Sequence, residues 1–212
     1  HDRSGEQDVN GCVRSAQRRD GVGLLMRDDL DSLISQAGAI ANDARQVFGS
    51  LSPSQLNWKP SPERWSVAQC FDHLITTNRG YLPIVDDVLQ GRKKSSVWQK
   101  LPVLPGFWGK ILIKSLDPAS TRKIRAPRKF EPAQSDVPGT IIEDFVAQQN
   151  QVIEKMRATA NLDLERIVIT SPAASVVTYS LMDAYRIIVV HERRHFQQAQ
   201  RVTEESGFPT TN

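Results

Sequence analysis

Cysteine is scarce in this chain, which contains two cysteines among 212 residues. Cys12 lies in a polar N-terminal stretch and Cys70 in a predicted core helix, so the pair argues against a disulfide framework. Two isolated cysteines also favour a reducing compartment, and we expect a cytoplasmic location. No run approaches the roughly 20 apolar residues that a membrane-spanning helix needs, so we expect no membrane partner.

An excess of one charge sign is also missing, because 27 basic and 24 acidic residues leave a net charge of +3. The basic residues form short clusters, such as Arg18-Arg19 and the looser run 122–129. No aromatic residues or glycines alternate with them as base-stacking platforms would. These clusters are typical of solvated loops, and we expect no nucleic-acid partner.

Polarity suggests where the folded domain begins and ends. Residues 1–23 are polar, lack an initiator methionine and lack the apolar core of a signal peptide, so they are predicted to be a disordered or vector-derived lead. Residues 24–207 hold enough apolar residues for one domain with a core, and residues 208–212 are predicted to be a flexible tail. Export stays open, since a signal or a tag could have been removed.

Four stretches carry apolar residues at three- and four-residue steps, the period of a helix with one buried face. The helices predicted from them span 27–50, 66–90, 139–160 and 180–205. Ser66 and Gln69 have the spacing of a capping box, and Pro83 predicts a kink between Gly80 and Pro83. Residues 167–170 could be extended, but no set of alternating strands is present to build a sheet. Four amphipathic helices with long crossings predict an all-α four-helix bundle.

The longest crossing, from Gly91 to Pro138, is rich in proline. A short helix is predicted near Phe107 to Leu116, and the remainder is predicted to be irregular. A loop of this length in a compact domain is usually functional. Its aromatic residues could form a lid over an entrance or could simply pack on the domain; they are Trp98, Phe107 and Trp108.

Histidine is also scarce, and three of the four histidines fall on core-facing positions. His191 and His195, in the stretch "HERRH", lie one turn apart on the apolar stripe of the last predicted helix. Imidazoles at this spacing can reach one metal ion. His73 faces inward on the second helix by the same projection. The pattern favours a three-histidine metal site about as much as it favours a hydrogen-bonded core His73 with a solvated pair.

The stretch "HERRH" also matches the zinc-binding helix of zincin proteases, but the context of that motif is missing. The histidine expected six residues after His195 is Arg201, and Gln198 replaces the glycine before it. Seventeen residues follow His195, too few for a further helix to bring a glutamate back to the metal. A protease is therefore disfavoured.

Two motifs together resemble the DinB-like superfamily, which includes YfiT-type metal-dependent hydrolases and the bacillithiol and mycothiol S-transferases. They are "WKPSPERWSVAQCFDHL" and "HERRHFQQAQRV", and the resemblance extends over residues 27–205. It implies a four-helix bundle of up-down-down-up topology with one divalent ion, zinc or nickel, at its mouth. His73, His191 and His195 match the three ligand positions, and Gln198 matches a following glutamine with a pocket or supporting role. Homodimers are common in the family, so a homodimer is expected.

Three neutral imidazoles would leave a divalent ion with open coordination positions, as in catalytic sites. We therefore expect a metal-dependent thiol S-transferase or hydrolase that acts on a small molecule, such as a low-molecular-weight thiol. A non-catalytic metal-binding or stress-associated module is the alternative, because the fold does not determine the chemistry. A helical interaction protein without metal would require the inward histidines to be coincidental.

Three further residues near the histidines have two interpretations each. Glu192 could act as a base, but an exposed ion pair with an arginine is the favoured interpretation. Tyr81 and Cys70 flank His73 and could line a pocket, although both are also ordinary core residues. The sequence favours the core for these two.

Overall fold

Helices dominate the computed structural model, which describes residues 9–92, 111, 130–133 and 136–210, with side chains described from residue 29 onward. The helices are α1 (Val9–Phe48), α2 (Pro53–Asn57), α3 (Val67–Arg79), α4 (Leu82–Leu89), α5 (Ile141–Ala158) and α6 (Leu181–Thr203). The four predicted helical stretches are all helical, and their C-terminal ends agree within two residues for the first, third and fourth.

Side-chain caps determine where the two helices that carry histidines begin. Ser66 precedes α3, and its hydroxyl accepts a hydrogen bond from the Gln69 backbone while the Gln69 side chain accepts one from the Ser66 backbone. This is the predicted capping box. Ser180 precedes α6 and accepts a hydrogen bond from the Asp183 backbone at 3.0 Å. Both histidine-bearing helices therefore start at defined residues, which sets the position of each later side chain.

The predicted kink at Gly80 is a complete break between α3 and α4. The Gly80 backbone closes α3 by donating to the Thr77 carbonyl at 3.1 Å. A Cβ atom at Gly80 would lie 2.9 Å from the Cβ of Pro172, closer than side-chain carbons approach one another. Pro83 sits in the first turn of α4, where its missing N–H costs nothing. Glycine and proline together therefore produce two helices in place of one bent helix.

The four longest helices contact one another in a closed ring. Helices α1 and α3 each pack against both α5 and α6. Phe71 of α3 lies between Phe48 of α1 and Phe145 of α5, with ring centroids 5.3 and 5.0 Å away in edge-to-face geometry. Such pairs contribute about 0.5–1.5 kcal/mol each beyond their burial. This aromatic cluster fixes α3, and with it His73, against its neighbours.

A small sheet departs from the all-helical prediction. Strands β1 (Val168–Thr170) and β2 (Thr178–Ser180) pair antiparallel, with Ile169 opposite Tyr179. The sequence indicated an extended 167–170 but not its partner strand, because the three residues of β2 run directly into α6. The pair leads the chain to the start of α6.

Described residues extend close to both chain ends. Helix α1 begins at Val9. Phe208 packs edge-to-face on Trp58 at 5.6 Å, and the Pro209 carbonyl accepts a hydrogen bond from Gln55. The domain boundaries near residues 23 and 207 stay predictions.

The predicted short helix at 107–116 and the predicted lid residues lie outside the described residues, apart from Ile111. Among the described helices, none has an apolar stretch of the length required to span a bilayer.

Candidate metal centre

Helices α3 and α6 bring three histidines to one point. His73 comes from the middle of α3, and His191 and His195 come from successive turns of α6. Their exposed fractions are 4%, 8% and 8%, so all three are buried with a small residual opening. The helical projection that placed them on the inner faces is confirmed.

The three imidazole rings are in mutual contact. The His73 and His191 Nε2 atoms are 3.1 Å apart, and one candidate nitrogen from each of the three side chains lies within 4.8 Å of the others. The ring centroid of His195 lies 4.6 Å from that of each other histidine. This compact group of ligand atoms is compatible with metal binding.

A backbone carbonyl fixes the tautomer of His73. The His73 Nδ1–H donates to the Phe130 carbonyl oxygen at 2.5 Å. A carbonyl can only accept, so the proton of the neutral ring is on Nδ1 and the lone pair is on Nε2. That lone pair is directed at the other two histidines. Metal-ligating histidines commonly have this arrangement, in which the second ring nitrogen donates to a carbonyl.

The backbone segment that supplies this carbonyl is held by two more side chains of α3. The Asp72 carboxylate accepts a hydrogen bond from the Ala133 backbone at 2.8 Å, and Gln69 donates to the Ala133 carbonyl at 2.8 Å. Helix α3 therefore holds residues 130–133 at both ends, through His73 at Phe130 and through Gln69 and Asp72 at Ala133. Phe130 is thereby presented to His73 by the same helix that carries His73.

His195 has an unsatisfied nitrogen. Its Nδ1 is buried and has no hydrogen-bond partner among the residues that the structure describes. Leaving a buried polar atom unpaired costs about 1–3 kcal/mol, so such atoms call for an explanation. Gln198, one turn further along α6, hydrogen-bonds to the His195 ring and raises its pKa against the effect of burial. A metal ion would satisfy the remaining nitrogen.

Burial keeps the three imidazoles uncharged. Desolvation lowers the pKa of His73, and it lowers the pKa of His191 to about 3, with a further contribution from repulsion by His73. Desolvation also lowers the pKa of His195 well below its usual value, with repulsion from the other two rings adding to it. Only neutral imidazoles can bind a metal, so the group is in the ligating form at neutral pH.

Trp65 forms one wall of the site. Its ring stacks on His195 with centroids 5.5 Å apart and an interplanar angle of 22°, and it lies 5.0 Å from the His73 ring. The residue directly precedes the capped start of α3 and is only partly buried. Trp65 was not among the site residues predicted from the sequence. Its position one residue before a capping box, eight residues before His73, was the available signal.

The burial of Glu192 shows that the favoured prediction for this residue was wrong. The favoured expectation was an exposed ion pair with an arginine, but Glu192 is 0% exposed. Its Oε1 accepts from Asn78 at 2.8 Å and its Oε2 accepts from Gln149 at 2.7 Å. Burial raises its pKa to about 7, against the lowering effect of these two hydrogen bonds. Because α6 packs against several helices, its buried sector is wider than the stripe that carries the histidines.

Tyr81 and Cys70 belong to the hydrophobic core, as the sequence favoured. The Tyr81 hydroxyl hydrogen-bonds to that of Tyr179 at 2.8 Å, and burial raises the pKa of Tyr81 well above its usual value. Cys70 is 0% exposed, and burial raises the pKa of its thiol to about 12. Neither side chain supplies a reactive group to the histidines in this arrangement.

Comparison of the sequence with known proteins identifies a family and one relative. A family model of the DinB superfamily matches residues 38–199, about three quarters of the chain. The chain is also similar to the uncharacterized protein YuaE of Bacillus subtilis, with 26% identity over 174 residues that cover 79% of this chain and 97% of YuaE. No solved structure matches the chain significantly. The matched region contains all three histidines, Trp65 and Glu192.

Proposed function

The chain belongs to the DinB superfamily, and from this premise we propose that it binds one divalent metal ion through His73, His191 and His195. The observation that carries the proposal is the convergence of these side chains, with His73 held in the ligating tautomer by the Phe130 carbonyl. The family resemblance favours zinc or nickel as the ion, and imidazole ligands also accept iron and copper.

The described geometry fits such an ion. Two nitrogens that bind a tetrahedral zinc at about 2.0–2.1 Å lie about 3.3 Å apart, close to the 3.1 Å between the Nε2 atoms of His73 and His191. Without an ion, the same distance fits a hydrogen bond in which a neutral His191 donates its Nε2–H to the His73 Nε2. The unpaired Nδ1 of His195 is a second position where an ion would replace a missing partner.

We propose further that the site is catalytic, as a thiol S-transferase or a hydrolase for a small molecule. A divalent ion bound by three neutral imidazoles supplies Lewis-acid chemistry, because it lowers the pKa of a water or thiol at an open position. The residual exposure of His191 and His195 is consistent with access for a small molecule. Trp65 would exclude water from one side and offer an aromatic face to the substrate.

Glu192 is not proposed as the general base. Both of its carboxylate oxygens accept hydrogen bonds from core amides, so neither is directed at a molecule in the site. The chain's own contribution to the chemistry would then be the neutral ligand set and the shape of the pocket, with Gln198 supporting His195.

The closed ring of contacts among α1, α3, α5 and α6 supports the up-down-down-up four-helix bundle as the proposed topology. A homodimer and a cytoplasmic location remain predictions. Light scattering after size-exclusion chromatography measures the first directly.

Metal content tests the binding proposal. The purified protein and a His195→Ala variant are analysed by mass spectrometry after equilibration with a limiting mixture of zinc and nickel. We expect about one ion per wild-type chain and its loss in the variant. A Thr159→Val control also loses a buried hydrogen bond, here with Tyr185, and should keep its metal. Equal trace metal in wild type and His195→Ala would refute the proposal.

Activity separates the catalytic proposal from the alternative of a non-catalytic metal-binding module. The metal-loaded protein is incubated with a panel of low-molecular-weight thiols and monochlorobimane, and with ester and amide substrates. We expect turnover that disappears in His195→Ala and survives in Thr159→Val. Stoichiometric metal binding without turnover of any substrate would favour the non-catalytic module.

A further inference from the structure

Hydrogen bonds around Glu192 of α6 link all four long helices. Asn78 of α3 and Gln149 of α5 each donate to one of its oxygens, at 2.8 and 2.7 Å. The second N–H of the same Gln149 amide reaches the Ala37 carbonyl of α1 at 3.3 Å. Glu192, Asn78 and Gln149 are each 0% exposed. We call these three side chains the core amide cluster.

On α3 and α6, the core amide cluster lies next to the ligand set. Glu192 directly follows His191 on α6, and Asn78 follows His73 by five residues on α3, about 7.5 Å along the axis. The hydrogen bond between Asn78 and Glu192 therefore crosses the same interface as the contact between His73 and His191. It ties the two helices that supply the ligands.

Helix geometry shows that this hydrogen bond limits the rotation of α6 about its axis. Side-chain atoms lie about 5–6 Å from a helix axis, so a 10° rotation of α6 moves them by about 1 Å. A displacement of that size exceeds the tolerance of about 0.5 Å for a preorganised site. Rotation that carried His191 and His195 away from His73 would also pull Glu192 from its two donors. The hydrogen bonds thus oppose the motion that would open the ligand set.

We propose that Glu192 is a positioning residue, which fixes the rotation of α6 through hydrogen bonds from Asn78 and Gln149 and so preorganises the three histidines for the metal. This inference rests on the metal binding proposed above. It assigns the role to hydrogen bonding and not to the negative charge of the carboxylate.

Two unpaired oxygens in the cluster make that distinction testable. Asn78 Oδ1 and Gln149 Oε1 are buried and lack a partner among the described residues. In a Glu192→Gln variant the new amide accepts one hydrogen bond and donates the other, once a neighbouring amide rotates to present its free oxygen. The network then survives without the charge. Glu192→Leu keeps the approximate volume and removes both hydrogen bonds.

Cobalt(II) titration of the metal-free proteins is the test, because its visible spectrum reports both affinity and ligand geometry. We expect Glu192→Gln to retain wild-type affinity and spectrum. Glu192→Leu should weaken binding by about 10- to 100-fold, the usual effect of losing a group that orients a ligand, and should shift the visible bands. Thr159→Val is the control for a lost buried hydrogen bond, and should leave affinity and spectrum unchanged.

The outcomes separate the inference from the function on which it rests. Wild-type affinity in Glu192→Leu would overturn the positioning role while leaving metal binding intact. Equal losses in Glu192→Gln and Glu192→Leu would overturn it too, because the charge would then be what matters. A wild-type protein that binds no cobalt would remove the proposed function itself. If Glu192→Leu fails to fold, Asn78→Leu and Gln149→Leu each remove one donor, and both should lower the affinity.

Discussion

Replacing His195 by phenylalanine is expected to stabilise the metal-free protein while it abolishes metal binding. The reason is the unpaired, buried Nδ1 of His195. His73 provides the opposite case within the same site, because its Nδ1 donates to the Phe130 carbonyl. Phenylalanine at His73 would leave that carbonyl without its donor. The two substitutions remove the same type of ring from one cluster and should change stability in opposite directions.

The magnitudes follow from the contacts of each ring. Removing the unpaired nitrogen of His195 relieves about 1–3 kcal/mol, and losing the hydrogen bond with Gln198 costs about 1 kcal/mol. The new phenyl ring can keep the stacking on Trp65, so we expect a net gain of roughly 0–2 kcal/mol. His73→Phe should instead cost about 1–3 kcal/mol for the stranded carbonyl. For comparison, metal at 100 times its dissociation constant stabilises the wild type by about 2.7 kcal/mol.

Urea unfolding followed by circular dichroism measures both effects. In EDTA the expected order of stability is His195→Phe, wild type, His73→Phe. Thermal unfolding in the same buffer should show about 2–4 °C in melting temperature for each kcal/mol in a chain of this size. Added zinc should raise the wild-type stability and leave both variants unchanged. A metal-free His195→Phe protein that is as destabilised as His73→Phe would show that the His195 nitrogen is satisfied, and the reasoning would fail.

Three other predictions use features around the site. Binding of Ni²⁺ or Co²⁺ should quench tryptophan fluorescence through Trp65, whose ring touches two of the proposed ligands; a Trp65→Phe variant that shows the same quenching would refute this. Burial raises the pKa of Cys70 from 9.0 to about 12, so in a folded Cys12→Ser variant the thiol should resist dithionitrobenzoate at pH 8 and react in urea. Since the unfolded thiol ionises first, this raised pKa contributes stability that is lost as pH rises from about 9 toward 12. Gly80→Ala should destabilise by about 1–3 kcal/mol because its Cβ meets a proline at 2.9 Å, whereas Gly38→Ala, with nothing within 4 Å, should stabilise α1 by about 0.5–1 kcal/mol; equal changes in urea unfolding would contradict the pair.

The helices and the inward positions of the three histidines were predictable because each depends on local pattern. A period of three to four residues identified four helical stretches, and Ser66 with Gln69 marked the start of α3 to the residue. The one-turn spacing of His191 and His195 made them neighbours in any helix. The inward projection of His73 then needed only two adjacent helices. The only tertiary assumption was that the second and fourth predicted helices are neighbours.

The surroundings of the histidines were not predictable, because they come from distant parts of the chain. Phe130 contributes through its backbone carbonyl, which any residue possesses, so its identity carries no signal. Asn78 and Gln149 lie 114 and 43 residues from Glu192, and amides on helix surfaces are usually exposed.

The glutamate in the stretch "HERRH" can have different roles in different folds. A residue that follows a ligand histidine lies about 100° around the helix from it. In a protease that sector faces the substrate cleft, and a glutamate there acts as the base. Here the sector faces Asn78 and Gln149, whose amides occupy both carboxylate oxygens. The choice between base and positioning residue is therefore made by the helices that pack on α6, and the motif alone could not decide it. If the site is catalytic, its base must come from another group, or the metal must generate the nucleophile without one.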